Sequence, residues 1–286
     1  VIWSPDSKTL LYTDRKNRLV AVDVASKSKQ TLMQNPNGEP SGVAYSPDSK
    51  WLTYTKSAEN EMSVIYVYNI ATKKEYPVTE RWYSSSAPVF STDGKYLIFT
   101  SARDFNSTYS QTEWNHVYTR MNGVYMAMLA EETPSPLLPT DGAVDAAKKS
   151  EGEVVVKIDP ENLPGRIVKL PLPAGSYRNF YSDGKKVYYG ASISDPATSA
   201  LFPKASMGEL YAVSVEGGRP EQVLATPAQL INFSRDGKRF LYQDRKGGED
   251  DFRKHHTSSI TRDIWLYDSS SRKHTQLTDW AGEDRN

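Results

Sequence analysis

The chain has 286 residues, which is long enough for one large domain or two small ones with a sizeable buried core. Its 35 basic residues balance 35 acidic ones, so no excess of positive charge favours a nucleic-acid partner. The absence of cysteine excludes disulfides, thiol catalysis and cysteine-bound zinc, and no run of about 18 apolar residues predicts a membrane span.

The first residues already lie inside a repeat. The chain opens on Val1-Ile2-Trp3-Ser4-Pro5, with neither a methionine nor a charged leader. We therefore expect a piece of a longer protein, in which any targeting signal lies outside this sequence.

One short pattern recurs along the chain: an aromatic residue, then Ser-x-Asp-(Ser/Gly)-Lys, then a β-rich run. Four full copies and one shortened copy place their aspartates at Asp6, Asp48, Asp93, Asp183 and Asp236. These positions are separated by 42, 45, 90 and 53 residues. Periods of about 40–50 residues are typical of propellers and similar arrays.

Each copy has the chemistry of a tight turn between two strands. Proline at the second position presets φ, aspartate bonds nearby backbone N–H groups, and glycine supplies a positive φ. We therefore expect the five aspartates to be structural rather than catalytic. The β-branched and aromatic runs that follow the turns predict second strands at 51–55, 96–100, 186–189 and 240–243.

Two more strands are predicted in every repeat. The third strands are predicted at 19–22, 64–68, 124–128, 209–213 and 263–267. The weaker fourth strands are predicted at 30–33, 75–78, 135–138, 221–224 and 275–277. The run 121–130 resembles a short helix in isolation, but the repeat register favours a strand there.

Four strands per repeat predict an all-β fold, a β-propeller of four-stranded blades. We expect five blades in a single domain or fragment over 1–286, at approximately 1–40, 41–80, 86–172, 175–226 and 227–280. The five blades either close on themselves or belong to a parent with six or seven blades. The apparent start of another repeat at 279–286 favours the second alternative.

Consecutive strands run antiparallel, so each blade has two ends. Connections 1–2 and 3–4 share what we call the anchor end, and connections 2–3 and 4–1 share the loop end. The anchor end is predicted to carry only short loops. The loop end is predicted to carry four insertions, 101–120, 191–207, 244–262 and the 4–1 connection 139–174. Loops on a rigid scaffold are where binding is usually placed.

The insertion 101–120 has the composition of a recognition surface, with aromatic residues beside arginine and histidine. The candidate binding residues are Arg103, Phe105, Tyr109, Trp114, His116 and Tyr118. The alternative is that these aromatic side chains pack the loop onto the scaffold. The charged insertion 244–262 is expected to be a solvated loop, and 139–152 is expected to be a disordered insertion.

Catalytic and cofactor signatures are missing from the sequence. There is no Gly-x-Ser-x-Gly elbow, no Gly-x-Gly-x-x-Gly loop and no His-Glu-x-x-His motif. The adjacent His255 and His256 would project to opposite sides of an extended chain, which suits a single metal ion poorly. We therefore expect no catalytic residue, no metal and no cofactor in this chain.

The repeats resemble the WD40-like propellers of tricorn-like proteases, of the TolB family and of prolyl-oligopeptidase-type peptidases. Two further segments favour the tricorn-like proteases. The stretch 157–177 contains Arg166-Ile-Val-Lys-Leu-Pro followed by Gly175-Ser-Tyr177, and 104–116 is similar to a loop of those proteins. The resemblance covers essentially the whole chain.

The resemblance implies a multidomain serine peptidase in which a propeller precedes PDZ-like and peptidase domains. Those domains would lie outside this chain, so the chain itself would be inactive. The implied role is to filter, dock or gate peptides or unfolded polypeptide, with homo-oligomerisation left open. The alternative is a TolB-like scaffold that binds a protein partner without proteolysis. Many bacterial relatives look exported, which favours the periplasm over the cytoplasm.

Overall fold

The computed structural model describes residues 1–104, 107–109, 116–118, 121–138, 154–191, 209–224, 228–234, 237–244 and 262–280. Over these ranges the regular structure is β-strand, apart from one short 3-10 helix at Leu163–Arg166. Among the described residues, no helix is long enough to cross a membrane. The chain divides into two compact units, Val1–Gly175 with Val215–Gly217, and Ser176–Ser214 with Gly218–Asn286.

The first unit holds three four-stranded antiparallel sheets, each with its strands in chain order. Sheet 1 consists of β1 (Ile2–Trp3), β2 (Thr9–Thr13), β3 (Arg18–Asp23) and β4 (Lys29–Gln34). Sheet 2 consists of β5 (Ser41–Tyr45), β6 (Trp51–Ser57), β7 (Ser63–Asn69) and β8 (Lys74–Pro77). Sheet 3 consists of β9 (Ser85–Phe90), β10 (Tyr96–Ser101), β13 (Gly123–Met128) and β14 (Ile167–Lys169). A separate two-stranded ribbon, β11 (Ser107–Tyr109) and β12 (His116–Tyr118), lies between β10 and β13 in the chain.

The second unit holds two more sheets of the same kind. Sheet 4 consists of β15 (Tyr177–Ser182), β16 (Lys186–Ala191), β17 (Glu209–Ser214) and β18 (Glu221–Leu224). Sheet 5 consists of β19 (Ala228–Phe233), β20 (Arg239–Asp244), β21 (Ile264–Asp268) and β22 (Lys273–Gln276). Each of the five sheets coincides with one predicted repeat, so the predicted all-β blade architecture is confirmed. The run 121–130 contains the strand β13, as the repeat register predicts.

The anchor turns have the predicted chemistry, with one addition. In the second copy, Asp48 Oδ1 accepts a hydrogen bond from the Lys50 N–H at 3.2 Å, and Ser49 adopts a φ of 60°. The addition is Ser46, whose Oγ donates to Asp48 at 2.6 Å and accepts from the Trp51 N–H at 2.9 Å. The copies at Asp6 and Asp93 repeat this arrangement. The structural role is confirmed for these aspartates and for Asp183, whereas Asp236 lies outside the described residues.

The fourth strand of sheet 3 differs from the prediction. Residues 133–138 form no strand, and β13 pairs with β14, where Val168 lies opposite Met126. Pro136 has no N–H for a strand ladder, whereas Ile167 and Val168 are β-branched and suit a pleated surface. The prediction of a strand at 135–138 is therefore wrong.

This correction moves one insertion to the other end of its sheet. Residues 129–166 join strands 3 and 4, so they leave and return at the anchor end. The Val156 N–H accordingly donates to Asp48 Oδ2, at the anchor turn of sheet 2, over 2.9 Å. The predictions that the anchor end carries only short loops and that all insertions share the loop end are wrong. The insertions after β10, β16 and β20 do join strands 2 and 3, as predicted. The expected disorder at 139–152 concerns residues outside the described ranges.

Apolar side chains pack between neighbouring sheets of each unit. Between sheets 1 and 2 the buried residues are Leu11, Leu19, Met33, Leu52, Tyr54 and Tyr68. Between sheets 2 and 3 they include Trp51, Ile65, Val67, Leu97, Phe99 and Tyr125, joined by Val156, Ile158 and Leu163 of the insertion. Between sheets 4 and 5 they are Leu210, Leu224, Phe240, Tyr242 and Tyr267. This packing fixes the sheet ends from which the loops emerge.

Candidate functional site at the loop end of sheets 2 and 3

The candidate residues of insertion 101–120 are described to different degrees. Arg103 is described with its side chain, and the backbones of Tyr109, His116 and Tyr118 belong to the ribbon. The ribbon register places Tyr109 opposite His116. Phe105 and Trp114 lie outside the described residues. The binding role of this set stays a prediction.

Arg103 follows β10 and is half-buried at the loop end. Its guanidinium carbon lies over the Tyr125 ring, 5.4 Å from the ring centroid. Its Nε donates a hydrogen bond to Ser101 Oγ at 3.2 Å. Within the described ranges, no carboxylate lies within 4.0 Å of this guanidinium. A ring face and a hydroxyl group therefore orient the cation without neutralising it.

The neighbouring Asp104 is paired with a different cation. Its Oδ1 accepts from Lys169 Nζ, at the end of β14, over 2.5 Å. Its Oδ2 is buried, accepts from no described residue, and lies beside Gly123, where any Cβ would collide with it. Because the charges of Asp104 and Lys169 cancel, these two residues and Arg103 together carry one net positive charge.

The pKa of Tyr125, whose ring lies under the Arg103 guanidinium, depends on the charged groups around it. Burial raises the pKa of Tyr125, and the nearby Asp104 carboxylate adds to the rise. The Arg103 guanidinium opposes this increase, and Tyr83 contributes a smaller rise. Arg103 and Tyr83 are therefore both close enough to Tyr125 to affect its pKa.

The short connection between β8 and β9 exposes two large aromatic side chains. Trp82 is 78% exposed and Tyr83 is 46% exposed. Single exposed apolar residues are ordinary, but two adjacent aromatics beside arginines have the composition of an interaction site. A search for long insertions misses these two residues, because the connection between β8 and β9 is short. The sequence Arg81-Trp82-Tyr83 nevertheless has the composition of a binding site.

The backbone of this connection is fixed on both sides. The Asn60 side-chain amide donates to the Arg81 carbonyl at 3.0 Å. The Ala102 N–H donates to the Ser84 carbonyl at 2.9 Å, one step beyond the paired ends of β9 and β10. The two chain segments thus run side by side as they reach Tyr83 and Arg103. We call Arg81, Trp82, Tyr83 and Arg103 the aromatic–arginine patch.

Comparison with known proteins assigns the chain to a family. Residues 1–253 match the family described as the tricorn protease second beta propeller domain. The chain belongs to this family. Tricorn protease homolog 1 of Streptomyces coelicolor is 26% identical over 254 residues, which cover 83% of this chain and 23% of that protein. The tricorn-like resemblance read from the sequence is therefore confirmed.

Solved structures show the same fold. The crystal structure of the tricorn protease aligns with a TM-score of 0.74 at 16% identity, over 96% of this propeller chain and 26% of that chain. A putative TolB from Agrobacterium tumefaciens aligns with a TM-score of 0.55 at 17% identity, over 98% of this chain and 80% of that chain. This chain thus spans about a quarter of the length of its tricorn relatives.

Proposed function

We propose that this chain is a non-catalytic propeller of a tricorn-like serine peptidase, and that it docks or gates peptides for a peptidase domain elsewhere in the parent protein. The observation that carries the proposal is the aromatic–arginine patch. Its four residues lie at the loop end, on a backbone fixed by hydrogen bonds to neighbouring strands and turns.

The patch has the chemistry that peptide recognition requires. Tryptophan, tyrosine and arginine are the residue types that most often dominate binding energy at protein interfaces. Trp82 and Tyr83 offer large apolar surfaces with few rotatable bonds, and Arg103 offers an oriented cation. The ribbon residues Tyr109, His116 and Tyr118, together with Phe105 and Trp114, are proposed to extend this surface.

The remaining partners follow from the family. We propose that PDZ-like and peptidase domains of the same parent chain receive the peptide, and that a homo-oligomer is compatible with this arrangement. Export to the periplasm, with the cytoplasm as the alternative, stays a prediction that cell fractionation tests.

The test is a double variant in the full-length parent protein. Trp82→Ala with Tyr83→Ala is expected to lower kcat/KM on an unstructured peptide mixture at least about fivefold, because two contact residues are truncated. Trp280→Ala is the matched control, since this tryptophan is 62% exposed but lies in the second unit. Unchanged kcat/KM in the double variant would show that peptides do not contact the patch.

A TolB-like scaffold without proteolysis is the alternative to this proposal. It predicts a parent protein that turns over no peptide at all, with or without an intact patch. A parent with measurable peptide hydrolysis excludes it.

A further inference from the structure

We propose that Arg103 binds the side-chain carboxylate of an aspartate or glutamate in an extended peptide. This inference rests on the proposed peptide contact and adds the chemical class of peptide that the patch prefers.

The first argument is the charge at the site. A half-buried charge is normally paired, because removal from water is costly unless an opposite charge compensates. Asp104 cannot compensate Arg103, since its Oδ1 is held by Lys169 and its Oδ2 is buried beside Gly123. An incoming carboxylate would supply the partner that no described residue provides.

The second argument is the orientation of the guanidinium. Nε is used by Ser101, and the Tyr125 ring lies against the planar group. Both contacts limit the rotamers of Arg103 before any ligand arrives. A pre-oriented planar cation is suited to a carboxylate, which it can bind through two parallel hydrogen bonds.

The third argument separates a side-chain carboxylate from a chain terminus. Proteins commonly capture a terminal carboxylate with several free backbone N–H groups. The N–H groups on either side of Arg103 are already used, because Ala102 donates to the Ser84 carbonyl and Asp104 donates to the Met121 carbonyl. Recognition by an arginine side chain is instead typical of acidic motifs.

The wider charge distribution defines how the recognition works. Glu59, Glu61 and Glu80 are exposed near the same connection, so the region as a whole does not attract anions over a long distance. The preference must come from direct contact with Arg103. Replacing this one residue should therefore remove the preference without changing contacts to Trp82 and Tyr83.

The test uses the 286-residue chain and three biotinylated nine-residue peptides of alanine and tyrosine, measured by biolayer interferometry. One peptide has a central glutamate and an amidated C-terminus. The second replaces glutamate by glutamine. The third keeps glutamine but has a free C-terminal carboxylate. We expect the glutamate peptide to bind about tenfold more tightly than the glutamine peptide, as for a hydrogen bond to a charged group.

Variants assign this preference to one residue. Arg103→Gln is expected to abolish the difference between the glutamate and glutamine peptides, and Arg103→Lys is expected to keep only part of it, because lysine lacks the planar fork. Arg15→Gln is the control, since Arg15 is an exposed arginine on the corresponding connection of sheet 1.

Each remaining outcome contradicts a defined part of the account. Equal binding of the glutamate and glutamine peptides would overturn the acidic preference but leave the peptide contact intact. Preference for the free terminus would overturn the side-chain assignment. Absence of binding by all three peptides would overturn both this inference and the proposed function.

Discussion

In the anchor turns of sheets 1, 2 and 3, the serine hydroxyl accepts a hydrogen bond from the backbone at the start of the second strand. Ser91 is fully buried, donates to Asp93 Oδ1 at 2.6 Å and accepts from the Tyr96 N–H at 2.9 Å. The same hydroxyl position recurs in Ser4 and Ser46. The repeated serine is thus explained by turn geometry and needs no catalytic role.

Ser91→Ala should lower the free energy of unfolding by about 1–3 kcal/mol, because it leaves the buried Tyr96 N–H without its side-chain acceptor. Urea unfolding followed by circular dichroism measures this change. Ser41→Ala is the control, since Ser41 is exposed and should change stability by less than about 0.5 kcal/mol. Equal stability of the two variants would refute this role of the hydroxyl.

A buried tyrosine makes stability depend on alkaline pH. Tyr54 is fully buried and donates to Glu75 Oε2 at 2.7 Å, while Lys56 Nζ contacts both Glu75 oxygens at 2.7 and 2.8 Å. Burial, then the Glu75 interaction, raises the pKa of Tyr54 well above its ordinary value of 10.0. The folded state therefore favours the neutral phenol.

The sign of the effect follows from linkage. A raised pKa contributes stability that is complete below the unfolded value and is lost as pH rises above about 10. Thermal unfolding at pH 8, 10 and 11 should show a smaller fall in Tm for Tyr54→Phe than for the parent chain. The Tm of the variant should still fall to some extent, because burial also raises the pKa values of Tyr45 and Tyr242, to about 12. An identical fall in both proteins would contradict this prediction.

The main feature at the scale of elements is the insertion that ties sheet 3 to sheet 2. Its buried Val156, Ile158 and Leu163 join the core between these sheets. Arg166 closes the insertion by donating to the carbonyls of Met128, Leu129, Asp159 and Glu161. The described part of this insertion therefore works as a structural brace.

Arg166→Lys should loosen this brace, because an ammonium group cannot reach four carbonyls with the geometry of a guanidinium. We expect the free energy of unfolding to fall by about 1–3 kcal/mol, and the amides of Val156 and Asp159 to exchange hydrogen faster. Arg15→Lys, on an exposed side chain, is the control. Unchanged exchange at Val156 would argue against a bracing role for Arg166.

The elements show which features can be predicted from local sequence. Strands such as β7 and β16 agree with prediction to within two residues, because β-branched and aromatic runs follow readable turns. The fourth strand of sheet 3 was predicted at the wrong place because β14 pairs with β13 across a long insertion. A local sequence pattern does not identify a partner so far along the chain. Two features of the sequence favour the correct strand: Ile167 and Val168 are β-branched, whereas Pro136 lacks the N–H that a strand ladder needs.

The candidate site was predictable in part for the same reason. Arg103 is recognisable from the composition of its loop. Its lack of a carboxylate partner among the described residues depends on the Asp104–Lys169 contact, which joins residues 65 positions apart. Trp82 and Tyr83 lie in a short connection, so insertion length does not indicate them. Their exposure becomes visible only once the strands on either side are placed.

At the scale of the whole molecule, the chain is a propeller domain of the tricorn family that spans about a quarter of its relatives' length. The central claim is that this propeller handles peptides without cleaving them. Its chemistry would then depend on domains that the parent protein supplies.

The most direct test compares peptidase activity of this 286-residue chain with that of the full-length parent protein, on the same unstructured peptide mixture. The account predicts hydrolysis by the parent and none by the chain at equal concentration. Hydrolysis by the chain alone would contradict it, because a catalytic site would then lie within the propeller.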